Sequence, residues 1–94
     1  MIDNIVVGTP LVSLEALGIE PAETTVHVGG PRFLPSLLVQ LGMFSSTSQV
    51  KAINRQRKHL IEKDTNLNLW RMLDGPEFTE LKIGKRHFWL VVGE

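Results

Sequence analysis

Lys51, Arg55 and Lys58 stand at i, i+4 and i+7, the spacing that sets three cations on one side of an α-helix. A row of that kind can replace the counterions of a phosphate backbone, while small polar groups beside it add hydrogen bonds to phosphate or sugar oxygens. Ser46 and Ser48 supply such groups at the expected start of the same helix, where free backbone amides also favour an anion. Lys85 and Arg86 extend the row if a sheet folds beside the helix. The chemistry on offer is the binding of a polyanion. The same residues also suit a solvated helix face and an edge strand guarded by charge.

Catalysis has no comparable signal, so no enzyme and no cofactor are expected. His27, His59 and His87 are far apart, and with no cysteine in the chain no metal site is expected. Ser45, Ser46 and Ser48 lie outside any G-x-S-x-G frame, and Gly29-Gly30-Pro31 is too short to cradle phosphate and reads as a turn. Trp70, Phe88 and Trp89 read as packing anchors in the core or at the rim of a sheet.

The elements that must hold the cations follow from periodicity. Phe33, Leu34, Leu37, Leu38 and Leu41 form an apolar helical stripe with Pro35 in the first turn, and Gly42 ends it. Ser46-Thr47-Ser48-Gln49 matches a capping box, which starts a second helix expected over 46–62. Its apolar side carries Val50, Ile53, Arg57, Leu60 and Ile61; Lys51, Asn54, Arg55, Lys58 and Glu62 lie opposite. Strands are expected at 5–7, at 24–28, over the alternation from Leu67 to Leu73, near Leu81 and Ile83, and at 87–92. A short helical turn is expected at 13–17, ended by Gly18, and a turn at Asp74-Gly75-Pro76. Gly84-Lys85 suggests a hairpin, although Lys in second place is not the favoured turn chemistry. The fold class is α+β: a helix pair packed on a small antiparallel sheet.

Ninety-four residues support one core, and 43% apolar with 21% charged residues fit a chain that folds. Ten Lys and Arg balance ten Asp and Glu, which argues against a surface that traps polyanions all over. The distribution is uneven. Residues 1–31 hold four carboxylates and no Lys or Arg; residues 32–63 hold six Lys and Arg against Glu62; the rest is nearly balanced. The expected organisation is an acidic N-terminal extension, 1–31, before a domain at 32–94. Residues 1–8 lack the basic flank and apolar run of a signal peptide, and no stretch reaches the ~20 apolar residues of a membrane span, so a cytoplasmic protein with no membrane partner is expected.

Two separated stretches carry a resemblance. The run from Leu37 to Lys51, with its helix, glycine, serine-rich cap and second helix, resembles the alpha-L RNA-binding domain typified by small-subunit ribosomal protein S four. The later run Gly84-Lys85-Arg86-His87-Phe88 is similar to the final strand entry in the version found at the C-terminus of bacterial tyrosyl-tRNA synthetases. Together they span roughly residues 33–92. The chain departs from the family in three places: the glycine pair and Asn-Gly turn after the second helix are absent, and Ala52 and Thr47 stand where basic residues are usual. Nothing resembles the catalytic part of a synthetase. The resemblance implies a non-catalytic module holding structured RNA, of rRNA or tRNA type, through Ser46, Ser48, Lys51, Arg55, Lys58, Lys85 and Arg86.

Two other functions remain open. A protein-interaction module on the same fold would have lost RNA binding, or would mask it with the acidic residues 1–31, which could instead dock a protein partner or a second copy. A helix-turn-helix for DNA would use the helices at 33–41 and 46–62, joined by Gly42 to Ser45.

Overall fold

The computed structural model describes residues 2–94, leaving the side chain of Asn66 aside. The class is α+β, and the chain divides into two compact units. Residues 2–30 and 74–94 form a sheet unit; Pro31–Leu73 forms a helical unit.

The sheet unit contains β1 (Asn4–Val7), β2 (Thr25–Val28), β3 (Glu77–Ile83) and β4 (Arg86–Val92), in the order β2-β1-β4-β3. β1 runs parallel to both neighbours, with Ile5 opposite Val26 on one side and Leu90 on the other; β3 and β4 are antiparallel. All four β1 residues are buried, as its Ile5-Val6-Val7 run requires of a strand covered on both faces. On one face Val6 and Val91 pack with Ile19, Leu14 and Leu17 from the β1–β2 crossover, which includes a 3-10 turn at Glu15–Leu17. The opposite face carries Ile5, Val7, Leu81, Ile83, Phe88 and Leu90, all buried. Asn4 is also fully buried: its Nδ2 donates to Thr25 Oγ1 at 3.3 Å, whereas its Oδ1 has no hydrogen-bond partner among the described residues.

A two-residue loop joins β3 and β4, with Ile83 paired to Arg86. Gly84 has φ 63°, whereas no non-glycine residue among the described residues has positive φ. Positive φ at the first central residue alone fits a type II′ turn, which wants Gly first and tolerates Lys second. The turn chemistry is therefore better suited than the sequence suggested. Gly93 ends β4 against the β1 exit: its N–H donates to Val7 O at 2.8 Å, and a methyl group there would overlap the Thr9 carbonyl.

In the helical unit, α1 (Leu34–Gln40) starts with Pro35 in its first turn and buries Leu34, Leu37 and Leu38. It ends in a Schellman motif: Met43 N–H donates to Leu38 O, Gly42 N–H donates to Val39 O, and Gly42 has φ 76°. The expected single helix at 46–62 is two, α2 (Thr47–Gln56) and α3 (Lys58–Lys63), separated at Arg57 with φ −101° and ψ 13°. The expected strand from Leu67 to Leu73 is absent. A 3-10 turn, Thr65–Leu67, leads into irregular chain with one bridge, Phe33 to Met72. The alternation still predicts burial, since Leu69 and Leu73 are inside while Trp70 and Met72 face out. Asparagine side chains take the backbone bonds that a strand ladder would have used: Leu69 N–H donates to Asn54 Oδ1 at 2.8 Å and Trp70 N–H to Asn68 Oδ1 at 3.1 Å.

Two expectations are corrected by this topology. The sheet is mixed, because β1 and β2 from the N-terminal segment join it in parallel. Residues 1–31 are consequently not an extension of a 32–94 domain: they contribute half the strands of the unit that β3 and β4 complete.

Candidate nucleic-acid interface

α2 is held at its start by Ser46, whose Oγ accepts from Gln49 N–H at 3.3 Å. The Gln49 side chain closes the box one residue earlier than expected, accepting from Ser45 N–H at 2.9 Å. Ser46 and Ser48 are exposed at this end. From there Lys51, Arg55 and Lys58 follow along α2 and the start of α3, all exposed. Lys51 Nζ lies 5.6 Å from the ring centroid of Trp70, and Phe33 meets the same indole edge-on at 5.1 Å. Arg55 and Lys58 line a concavity of about 500 Å³ with Ile61, Glu62, Thr65 and Asn68. Among the described residues none of Lys51, Arg55 and Lys58 is in an ion pair. Their charge is therefore free to meet an external anion.

Asn54 fixes the floor of that concavity. Its Nδ2 donates to Asn68 Oδ1 at 2.9 Å while its Oδ1 holds Leu69 N–H, so α2 and the chain after α3 are tied by two bonds. Arg57, at the junction, is half-buried with Nη1 out of solvent and without a hydrogen-bond partner among the described residues; burial lowers its pKa. It belongs to packing more than to the exposed row.

Lys85 and Arg86 lie in the β3–β4 hairpin of the sheet unit, both exposed. The seven residues chosen from sequence are thus divided: Ser46, Ser48, Lys51, Arg55 and Lys58 belong to one unit, and Lys85 and Arg86 to the other. The hairpin strands have a different electrostatic character. Glu80 accepts from His87 Nε2 at 3.1 Å and faces Lys82 Nζ at 3.4 Å. The hydrogen bond from His87, followed by the one from Lys82, holds the Glu80 carboxyl below the usual carboxylate range.

Division by unit sharpens the charge asymmetry. The helical unit carries seven Lys and Arg against two carboxylates, a net +5; the sheet unit carries three against eight, a net −5. Sequence reasoning missed Asn54 and Asn68 as the tie beneath the cations, and it counted Trp70 with Phe88 and Trp89. Phe88 is buried, whereas Trp70 is 38% exposed. Their signal was present: two asparagines interrupting otherwise apolar or basic periodicity mark side-chain bonds to backbone. No helix of the described residues is long and apolar enough to cross a membrane, and no three His, Asp or Glu among them gather as metal ligands. Compared with known protein families, curated proteins and solved structures, the chain gives no match.

Proposed function

We propose that the helical unit is a small non-catalytic module that contacts structured RNA through the exposed face of α2 and the start of α3, with Ser46, Ser48, Lys51, Arg55 and Lys58 facing the phosphates. The reading is carried by one observation: three exposed cations along α2 and the start of α3 have no carboxylate within ion-pair distance among the described residues, on a unit of net charge +5. Surface cations that neutralise phosphates release the counterions condensed on the nucleic acid, a large source of its affinity. The resemblance of residues 37–51 to the alpha-L RNA-binding domain supports RNA as the ligand. Fluorescence titration of a labelled stem-loop RNA and a duplex DNA of equal length, at equal low salt, tests the reading. The stem-loop should bind more tightly, and Arg55→Glu with Lys58→Glu should weaken it about tenfold or more. Absence of RNA binding at low salt, or indifference to the charge reversals, would contradict it.

A second reading rests on the sheet unit. Leu11, Val12 and Phe78 are 58%, 51% and 41% exposed, and all three border one apolar groove of about 200 Å³. Such a patch on a unit of net −5 supports contact with a protein partner or a second copy. Sedimentation at several concentrations, with Leu11→Ser and Val12→Ser as the comparison, tests it: self-association that the pair abolishes supports a second copy.

A further inference from the structure

Trp70 is unusual in where its ring is left. It is 38% exposed, its neighbour Met72 is 54% exposed, and neither is drawn into the core that Leu69 and Leu73 enter from the same stretch. The ring nevertheless has a packed neighbour: Phe33 meets it edge-on at an interplanar angle of 87°. The backbone that carries it is tied as well, since the Trp70 main-chain N–H donates to Asn68 Oδ1 and Asn54 anchors Asn68 to α2. Lys51, one helical turn before Arg55, places its ammonium 5.6 Å from the indole centroid. A pre-positioned, partly exposed indole next to the first cation of a phosphate-facing row has the composition of a base-stacking site.

Resting on the RNA reading above, we infer that Trp70 is a stacking platform for one unpaired nucleobase, with Lys51 taking the phosphate of that nucleotide and Arg55 and Lys58 the phosphates of the adjoining duplex. A base laid on the indole replaces the ammonium there, and the flexible Lys51 stem turns toward the phosphate. The ligand class is therefore a helix that ends in, or is interrupted by, an unpaired nucleotide, rather than uninterrupted duplex. Stacking is tolerant of sequence because every base has a π-face, so the preference is for an unpaired position and not for a particular base.

The test uses the full chain with Trp89→Phe, which leaves Trp70 as the only tryptophan, and two RNA probes: a blunt-ended two-strand duplex and the same duplex with a single-stranded 3′ adenosine tail. The tailed duplex should bind about tenfold more tightly and quench the Trp70 emission; the blunt one should bind without quenching. Trp70→Phe should keep part of the preference, and Trp70→Ala should remove it while blunt-duplex binding remains. Equal affinity for both duplexes, with unchanged emission, overturns the stacking site and leaves the phosphate-facing row standing. Failure of both duplexes to bind at low salt overturns the RNA reading and the stacking site with it. The emission change is read with Trp70 itself intact, so a misfolded Trp70 variant does not decide the matter.

Discussion

The two units hold similar cations in opposite surroundings. On the hairpin strands Lys82 and His87 both face Glu80, whose carboxyl is ionised more readily for it; on α2 and α3, Lys51, Arg55 and Lys58 form no ion pair among the described residues. A lysine that pairs with a carboxylate two residues away on its own edge strand keeps that edge soluble and does little else. An exposed helical cation with no carboxylate partner is available for an external anion. Net charge of zero conceals this difference, because a +5 unit and a −5 unit cancel in the sum.

The largest effects are expected from core changes, one in each unit. Leu37→Ala in the helical unit removes a fully buried side chain and should cost about 2–5 kcal/mol in chemical denaturation followed by circular dichroism. Gly93→Ala in the sheet unit forces a methyl group onto the Thr9 carbonyl and should cost about 1–3 kcal/mol, as overpacking does. If each substitution lowers only the transition of its own unit, two transitions separate; if both lower one shared transition equally, the units fold as a single cooperative body.

Acid should act on the sheet unit first. Glu80 has a folded pKa below its unfolded value, so its pairing contributes stability that is complete above the unfolded carboxylate range and is lost as pH falls through the lower folded value. Thermal melts across that range should show Glu80→Gln flattening the acid limb; an acid limb identical to that of the native protein would mean that the pair contributes nothing. The smallest effect is expected at the α2–α3 junction. Arg57→Met removes a half-buried guanidinium with an unpartnered Nη1 and should leave stability unchanged or raise it by less than about 1 kcal/mol, whereas a clear loss would reveal a bond that Arg57 makes.

How far the sequence foretold these surroundings depends on whether local chemistry or distant pairing set them. The Leu34–Leu38 stripe, the Gly42 stop and the Ser46 cap are local, and each lies where periodicity and capping chemistry put it. The parallel pairing of β1 with β4 joins residues at opposite ends of the chain, and the four residues of Asn4–Val7 carry no hint of their partners in β2 and β4. Leu67 to Leu73 misled for a different reason: burial alternates with period two whether or not a ladder forms, and Asn54, from an earlier helix, supplied the acceptor that a neighbouring strand would have offered. In the candidate site, the exposure of Lys51, Arg55 and Lys58 was legible from spacing, although the single helix that spacing assumed is broken at Arg57. That Trp70 is exposed beside Lys51, and that Lys85 and Arg86 belong to the other unit, depended on tertiary structure.

The central claim is that unpaired cations of the helical unit, and not the paired ones of the hairpin strands, meet phosphate. Its most direct measurement is the salt dependence of stem-loop RNA affinity for the native chain, Lys58→Gln and Lys82→Gln. The native slope of log affinity against log salt should be about −2 to −3 for three phosphate contacts, and Lys58→Gln should make it shallower by about 1. Lys82→Gln should leave it unchanged. A slope that Lys82→Gln reduces as much as Lys58→Gln, or that neither alters, would contradict the claim.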